Sequence, residues 1–248
     1  MSNQKSVQTD YSLPTTDYFL SSQFLVLIMV NFSIIVAVDS KMGIGQNGMI
    51  PWHLKGDMKY FQEVTSGKWQ DSCLRRNDKA DGNDKNVVIM GRKTWESIPE
   101  KHRPLKNRVN VVLSRNIDYK VPDGVLVFKS LEEVLESLER KDSCFRRNDK
   151  GDRNDKGDGN DKGDGNDSGE IFIIGGAQIY NKAIKNPLCT KIYLTQIEKD
   201  FDCDTFFPQI PSSFVKTKES NVQIENGIEY RFIEYEIGVM RYATSENS

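Results

Sequence analysis

An internal duplication constrains the fold of this 248-residue chain more than any other feature, because the duplicated residues cannot contribute to a hydrophobic core. Residues 71–79 recur at 142–150 with a single difference, Leu74 against Phe145. Each copy runs into hexamers such as Gly-Asp-Gly-Asn-Asp-Lys, one at 80–85 and three at 151–168. The hexamers hold no apolar side chain except Ala80, so burial cannot offset the entropy that ordering them costs. The sequence therefore predicts two solvated loops, at 71–85 and 142–168.

Two interpretations of these repeats stay open. Asp, Asn and Gly in close succession are typical of calcium-binding loops, but Lys162 occupies the fifth position of the segment that starts at Asp158, where an oxygen ligand is needed. Near-identical copies at two unrelated places favour an inserted element, because lengthening a surface loop costs only about 0.6 kcal/mol per doubling. We favour insertion, and a calcium- or partner-binding repeat protein is the alternative.

The N-terminal apolar run, Phe24–Val38, is too short for a membrane-spanning helix, which needs about 20 apolar residues. Only Lys5 lies upstream of it, whereas a signal peptide has a basic region there. We interpret 32–38 as a buried strand and residues 1–30 as an extension outside the fold, either disordered or not translated. Met29 is then a candidate start, and residues 31–248 form a single domain that the two loops interrupt.

Composition and charge exclude several classes of function. The chain is 37% hydrophobic and 28% charged with a formal net charge of -2, so it lacks the basic excess that nucleic acid or an anionic membrane attracts. The four cysteines and two histidines lack the spacing of metal ligands, and no metal site is predicted. Because free thiols are typical of a reducing compartment, we expect a cytoplasmic protein. We also expect a monomer with no nucleic-acid or membrane partner.

Outside the loops, short apolar strands alternate with helical patterns. In one helical segment, apolar Met58, Phe61 and Val64 recur every three residues. The alternation predicts an α/β fold with a mostly parallel central sheet, helices on both faces and an antiparallel C-terminal edge. Ligands of such sheets bind at the carboxyl ends of the strands. The predicted strands are 32–38, 87–90, 109–114, 125–128, 171–174, 192–195 and at least two within 215–235; the predicted helices are 56–66, one that begins near 93, 131–138 and one that runs from the glycine pair at 175–176 to 182.

The segment Gly43–Gly48 matches the G-x-G-x-x-G fingerprint of dinucleotide-binding folds and follows a predicted strand. In that fingerprint the third glycine opens a helix, whereas here Pro51 follows Gly48 by three residues. We therefore reject the Rossmann interpretation and predict a long mobile loop that closes over a site.

Seven motifs in one order identify a resemblance that no single motif would carry. They are 37–39 with 43–45; 51–54 with Asp57 and Phe61; 88–98; 103–108; 113–115; 174–176; and 193–195 with 204–208. Together they resemble the dihydrofolate reductase family, over nearly all of the chain from about residue 32 to the end, apart from the repeats. The resemblance implies reduction of 7,8-dihydrofolate to 5,6,7,8-tetrahydrofolate in one-carbon metabolism. Hydride would be transferred from NADPH to C6, and the proton would reach N5 through water.

The resemblance also implies a substrate site. A buried Asp57 carboxylate would bind the 2-amino group and N3 of the pteridine, and Thr195 and Trp52 would complete the catalytic group. An isolated Asp at a helix start is ordinarily a capping residue, and the surrounding motif reverses that interpretation. Arg108 would pair with the substrate α-carboxylate through its guanidinium fork. The residues assigned to the substrate are Ile35, Val36, Leu54, Asp57, Phe61, Ile98, Leu105, Arg108 and Thr195.

The implied cofactor is NADPH. Two glycine turns, at 91–94 and 175–178, precede predicted helices whose first amides are able to bind a pyrophosphate. Arg92 and Arg115, with Lys93 and Ser114, form a basic cluster that fits the 2′-phosphate and favours NADPH over NADH. The residues assigned to the cofactor are Ala37, Ile44, Gly45, Gly48, Met49, Gly91, Arg92, Lys93, Thr94, Leu113, Ser114, Arg115, Lys129, Ile174, Gly175, Gly176, Ala177, Gln178, Ile179 and Tyr180.

A related reductase of riboflavin biosynthesis is the alternative enzyme interpretation, since it shares the general fold and the use of NADPH. It lacks the Pro-Trp-x-Leu-x-x-Asp helix entry, which is present here at 51–57. It also lacks the Asp-Thr-x-Phe-Pro segment, which is present at 204–208.

Overall fold

The computed structural model describes residues 30–66, 85–116, 118–140 and 169–238. The predicted N-terminal extension and both predicted inserted loops lie outside these ranges, apart from Val30 and Lys85. In the part of the chain that the structure describes, no helix combines the length and the apolar character needed to cross a membrane.

One mixed sheet organises the described residues. Its strand order is β10-β11-β7-β1-β6-β3-β4-β5, and β9 pairs with β11 on the same side as β10. The six strands from β7 to β5 are parallel, whereas β11 is antiparallel to β7, β9 and β10. The strands are β1 (Phe32–Val38), β2 (Gly43–Gly45), β3 (Asn86–Gly91), β4 (Arg108–Leu113), β5 (Val125–Phe128), β6 (Ile171–Gly175), β7 (Cys189–Ile197), β8 (Thr205–Phe206), β9 (Phe214–Glu219), β10 (Gln223–Glu225) and β11 (Ile228–Ile237). The predicted parallel sheet with an antiparallel C-terminal edge is confirmed.

Helices cover both faces of this sheet, as predicted. They are α1 (Lys55–Thr65), α2 (Arg92–Ser97), α3 (Leu131–Glu139) and α4 (Ala177–Ala183), with a 3-10 turn at Glu100–His102. On one face, Val134 of α3 and Ala183 of α4 pack in the same core as Ile34 of β1. On the other face, Tyr60 of α1 and Trp95 of α2 pack with Ile35, the next residue of β1. Alternate residues of a strand point to opposite faces, so the apolar run of β1 feeds two cores.

The apolar stripe predicted for α1 is only partly correct. Val64 is buried and Phe61 is half-buried, but Met58 is 53% exposed and Tyr60, outside the predicted stripe, is buried instead. Tyr60 stacks on Phe232 of β11 with ring centroids 4.0 Å apart, so the antiparallel edge decides which face of α1 is covered. The exposed end of the stripe lies one residue from Asp57.

The glycine segment also differs from its prediction as a long loop. Gly43–Gly45 forms the short strand β2, which pairs with β8. Gln46 and Met49 then exchange backbone hydrogen bonds of 2.8 and 2.9 Å across a tight turn. Asn47 and Gly48 both have positive φ angles, 50° and 77°, as a two-residue hairpin turn requires. Since no helix begins at Gly48 and α1 starts only at Lys55, the rejection of the Rossmann interpretation is confirmed.

Candidate active site

Asp57 and Thr195 meet at the carboxyl edge of the parallel strands. Asp57 is the third residue of α1, and Thr195 lies on β7 beside Ala37 of β1. The Thr195 hydroxyl donates a 2.7 Å hydrogen bond to Oδ1 of Asp57. These two residues are 138 positions apart in the sequence. The fold thus brings together two residues that the resemblance assigned to the catalytic group.

Burial dominates the electrostatics of Asp57. It raises the pKa of this carboxyl from 3.8 to about 6, while the Thr195 hydrogen bond opposes the rise and the negative charge of Glu225 adds to it. A carboxylate has room for about four hydrogen bonds. One hydroxyl therefore leaves acceptor capacity for a ligand that presents adjacent N–H donors.

Trp52 adds an unsatisfied donor to this end of the molecule. Its indole packs against Phe201 with ring centroids 5.2 Å apart and shares a small core with Leu54 and Tyr230. Its Nε1 is buried and has no hydrogen-bond partner among the described residues. Because buried donors are normally paired with protein or water, this N–H suits a bound water or a polar ligand atom.

An apolar wall extends from α1 toward Arg108. Phe61, Ile98 and Leu105 are each half-buried and pack on the core beneath α1 and α2. The Arg108 guanidinium lies 5.8 Å from the centroid of the Phe61 ring. These four predicted substrate residues therefore share one side of the sheet with Asp57.

Arg108 is a half-buried cation whose partners are neutral. Its Nε donates to the carbonyl of Lys106 at 3.0 Å, and its Nη1 donates to the hydroxyl of Thr65 at 2.7 Å. Burial lowers its pKa. Within the described ranges no carboxylate forms an ion pair with Arg108, so the site suits an anionic ligand group.

The remaining predicted substrate residues are mainly packing residues. Leu54 is 1% exposed and lies in the core with Trp52. Val36 points into the core on the face opposite Ile35 and Asp57. Ile35 contributes a backbone carbonyl that accepts a 2.9 Å hydrogen bond from the hydroxyl of Tyr180. Tyr180, which was assigned to the cofactor, is itself buried.

Two glycine turns touch each other at the carboxyl ends of β3 and β6. A Cβ on Gly91 would lie 2.9 Å from Cδ1 of Ile179 and 4.0 Å from the Cα of Gly176. A Cβ on Gly175 would overlap the side chain of Thr94. Gly176 has a φ of 105°, which favours glycine. Glycine is thus required for the two turns to pack this closely, and Gly91 and Gly176 remain partly exposed beside the starts of α2 and α4, whose first amides are able to bind a phosphate group.

Basic side chains rim these turns. Arg92, Lys93 and Arg115 are all exposed. Arg115 donates to Oε1 of Gln178 at 3.2 Å, which links the end of β4 to the start of α4. The parallel register aligns the ends of β3, β4 and β6. The same edge therefore gathers the other predicted cofactor residues of these elements, which are Leu113, Ser114, Lys129, Ile174, Ala177 and Ile179.

The glycine hairpin borders the site from the other side. Ile44 and Gly45 lie on β2, while Gly48 and the exposed Met49 lie in the turn. Asp204 Oδ2 accepts a 2.7 Å hydrogen bond from the backbone of Asn47, and the backbone of Asp204 donates to Gly45 at 3.0 Å. The predicted closing loop is therefore held against the 201–206 segment in this structure.

Several residues of this region escaped the sequence analysis. Met58 and Ile50, 53% and 60% exposed, are large apolar side chains that flank the helix entry. Apolar residues left exposed beside a buried carboxylate are a signal for ligand contact, but only the structure reveals the exposure. Asp39 and Glu225 organise the surrounding backbone; Asp39 lies in the first motif but had no role assigned to it, and Glu225 lies in no motif. Among the described residues, no group of three or more His, Cys, Asp and Glu side chains is arranged to hold a metal ion.

Comparison with known proteins assigns this architecture to a family. The family model for dihydrofolate reductase matches residues 31–70, 79–146 and 161–237. Dihydrofolate reductase from Heliothis virescens is 38% identical over 214 residues, which cover 83% of this chain and 97% of that protein. The bifunctional dihydrofolate reductase-thymidylate synthase of Zea mays is 35% identical over 208 residues, 83% of this chain but 34% of that protein. The structure of Schistosoma mansoni dihydrofolate reductase superimposes with a TM-score of 0.61 at 31% identity, covering 85% of this chain and all of that one.

Proposed function

The chain belongs to the dihydrofolate reductase family, and from that premise we propose that it reduces 7,8-dihydrofolate to 5,6,7,8-tetrahydrofolate with NADPH. The observation that carries this proposal is the partly buried Asp57 carboxylate, which accepts a hydrogen bond from Thr195 and lies on the same side of the sheet as Phe61 and Arg108. A pteridine with an apolar linker and a terminal carboxylate needs these three kinds of contact.

In this proposal Asp57 binds the 2-amino group and N3 of the pteridine, while Thr195 fixes the orientation of the carboxylate. Phe61, Ile98 and Leu105 pack against the apolar middle of the substrate. Arg108 pairs with the α-carboxylate. Met58 and Ile50 extend the apolar contact, since both are already exposed beside the site.

The reaction adds a hydride to C6 and a proton to N5. NADPH, when bound, supplies the hydride and leaves as NADP⁺. Asp57 stabilises the protonated pteridine through its charge. The proton reaches N5 through water, for which the unpaired Nε1 of Trp52 offers a binding position.

The chain's own residues fit a nicotinamide dinucleotide. The Gly91 and Gly175–Gly176 turns pack closely together beside the starts of α2 and α4, whose first backbone amides would bind the pyrophosphate. Arg92 and Arg115, with Lys93 and Ser114, would hold the 2′-phosphate. Ala37, Ile44 and Gly45 would border the nicotinamide.

The direct test follows the dihydrofolate-dependent loss of NADPH absorbance by the full-length protein. Turnover is expected for the native sequence, and Arg108→Lys is expected to raise the KM for dihydrofolate roughly tenfold with little change in kcat, because a point charge replaces a bidentate fork. Arg140→Lys, at the exposed arginine that follows α3, is the matched control. Folded protein without turnover would overturn the proposed activity.

We also propose that 71–85 and 142–168 are insertions that leave the site intact. The first lies between α1 and β3 in the sequence, and the second lies between α3 and β6. The strands that follow them, β3 and β6, begin at the edge of the sheet opposite the carboxyl ends. The family match skips 71–78 and 147–160, which supports this interpretation. Deleting both segments should preserve kcat and KM within about twofold, because loop length carries only a small entropic cost. Loss of activity in a folded deletion variant would contradict it.

We expect this enzyme to be a monomer and to be located in the cytoplasm. Light scattering during gel filtration should give one mass close to 28.3 kDa. A mass of twice that value would contradict the monomer.

A further inference from the structure

The first turn of α1 lacks a local cap. The N-cap residue is Leu54, whose side chain accepts no hydrogen bond, so the first backbone amides of the helix need partners from elsewhere. Asp57 lies in this turn and would be the obvious local acceptor, since acidic side chains are favoured there. Its carboxylate instead accepts from Thr195.

Glu225 of β10 supplies the missing partners from the other end of the chain. Its Oε1 accepts from the amide of Lys55 at 2.8 Å, and its Oε2 accepts from the amide of Gly56 at 3.0 Å. The two hydrogen bonds lower the pKa of Glu225, so the carboxylate is ionised at neutral pH. Hydrogen bonds to a charged acceptor are about twice as strong as neutral ones.

The neighbouring strand fixes this contact in place. Any Cβ at position 56 would overlap the hydroxyl of Tyr230, which follows Glu225 across the β10–β11 turn. Tyr230 itself is buried in the core with Trp52 and Leu54. Gly56 therefore allows the hairpin to approach the helix closely enough for Glu225 to reach both amides.

We propose that Glu225 is a positioning residue for Asp57: it occupies the first amides of α1 from a neighbouring strand and thereby leaves the Asp57 carboxylate available to Thr195 and the ligand. The inference rests on the proposed role of Asp57 in binding the pteridine. It makes the β10–β11 hairpin, which lies outside all seven sequence motifs, part of the machinery that prepares the site.

The charge of Glu225 has a second consequence. It raises the pKa of Asp57 in the same direction as burial does. The other titratable groups that interact with Asp57 are Tyr60 of α1, Tyr180 of α4 and Tyr230 of β11. All three are neutral at physiological pH, since the usual tyrosine pKa of 10 is already well above it and burial raises each pKa further. Lys55 and His53 face Glu225. Glu225 is thus the charged residue whose electrostatic repulsion raises the pKa of Asp57.

The test compares Glu225→Gln with Glu229→Gln in the full-length protein. Glu229 is an exposed carboxylate on the paired strand, opposite Ile224, so it matches the change in charge without the contact to α1. Carbon NMR of aspartate-labelled protein, with Asp57→Asn to assign the signal, follows the titration of Asp57 without requiring turnover. Glu225→Gln should lower its midpoint by about half a pH unit, and Glu229→Gln should leave it in place.

The acid limb of kcat/KM for dihydrofolate should move to lower pH by the same amount in Glu225→Gln. An Asp57 midpoint that is the same in both variants would overturn the inference, even if the enzyme turns over. If Asp57 titrates as expected in the native protein but the protein reduces no dihydrofolate, the proposed function is wrong. The effect of Glu225 on the Asp57 midpoint is still measured by NMR in that case.

Glu225→Asp tests the position of the carboxylate separately from its charge. It also provides the test if Glu225→Gln does not fold. The shorter side chain keeps the charge but cannot span both amides. The KM for dihydrofolate is expected to rise about fivefold, with kcat changed less than twofold, because a misplaced Asp57 weakens binding. An unchanged KM in folded Glu225→Asp would overturn the positioning role.

Discussion

Asp57, which is partly buried, and Asp39 are two carboxylates at the same edge of the sheet, and their surroundings differ in kind. Asp39 follows β1 and is fully buried. Its Oδ1 accepts from the amides of Lys41 and Gly43 at 2.9 and 2.6 Å, and its Oδ2 accepts from the amide of Phe201 at 3.2 Å. Asp57 accepts its hydrogen bond from one hydroxyl, that of Thr195.

The pKa values follow the donors. Burial alone would raise the pKa of both carboxyls, but the three backbone amides lower the pKa of Asp39 on balance. At Asp57 burial prevails and the pKa rises to about 6. Burial therefore does not identify a reactive carboxylate. Asp39 is saturated by the backbone and ties the glycine hairpin to the 201–206 segment, whereas Asp57 keeps acceptor capacity for a ligand.

Replacing Asp57 by asparagine should produce the largest effect. The kcat/KM for dihydrofolate is expected to fall at least 100-fold, because the variant loses the charge that stabilises the protonated pteridine. Its free energy of unfolding at pH 7 should not decrease, since burial of a charge is relieved. Steady-state kinetics and urea denaturation measure the two quantities, with the exposed Asp123→Asn as control. A kcat/KM within tenfold of the native value would contradict the role assigned to Asp57.

Asp39→Asn should show the reverse pattern. An amide nitrogen in place of one oxygen opposes backbone donors and weakens charge-assisted hydrogen bonds, so the free energy of unfolding should fall by about 2 kcal/mol. The same denaturation experiment measures the loss. Enzyme turnover in the folded fraction should change less than in the Asp57 variant. If Asp39→Asn were as stable as the native protein, the structural role assigned to its three donors would be wrong.

Thr195→Val sharpens the comparison by removing the last fixed donor from Asp57. The pKa of Asp57 should rise further, because the hydroxyl opposes the effect of burial. We expect kcat/KM at pH 7 to fall about tenfold, in line with one hydrogen bond to a charged group. The pH profile measures this variant, and its acid limb should move to higher pH. A shift to lower pH would contradict the assignment.

The smallest expected effect is on the pH dependence of stability. The pKa of Asp57 is above its usual value of 3.8, so the folded protein binds more protons than the unfolded chain between pH 3.8 and about 6. Its contribution makes stability decrease as pH rises through this window, by about 1 kcal/mol after screening. Asp39, whose pKa is lowered, contributes stability that is lost as pH falls below 3.8. Denaturation curves at several pH values should lose the first slope in Asp57→Asn alone.

Much of this organisation is readable from the chain. The apolar runs and their alternation with helical patterns predict the sheet and its antiparallel edge, and the family resemblance assigns Asp57 and Thr195 to the same site. The sequence-based predictions are wrong where residues from distant parts of the chain determine the local structure. Tyr60 is buried in place of Met58 because Phe232 of β11 stacks on it, and β2 forms because β8 supplies a partner.

Hydrophobic periodicity and turn chemistry are local properties, so the sequence alone predicts most of the elements and their order. The ordered motifs add the residues of the candidate site through the family resemblance. The role of each carboxylate follows only from the folded structure. Asp39, Asp57 and Glu225 are the same chemical group, and their roles depend on which amides and hydroxyls the folded chain places around them. Those donors lie up to 170 residues away along the chain, so no local pattern encodes them.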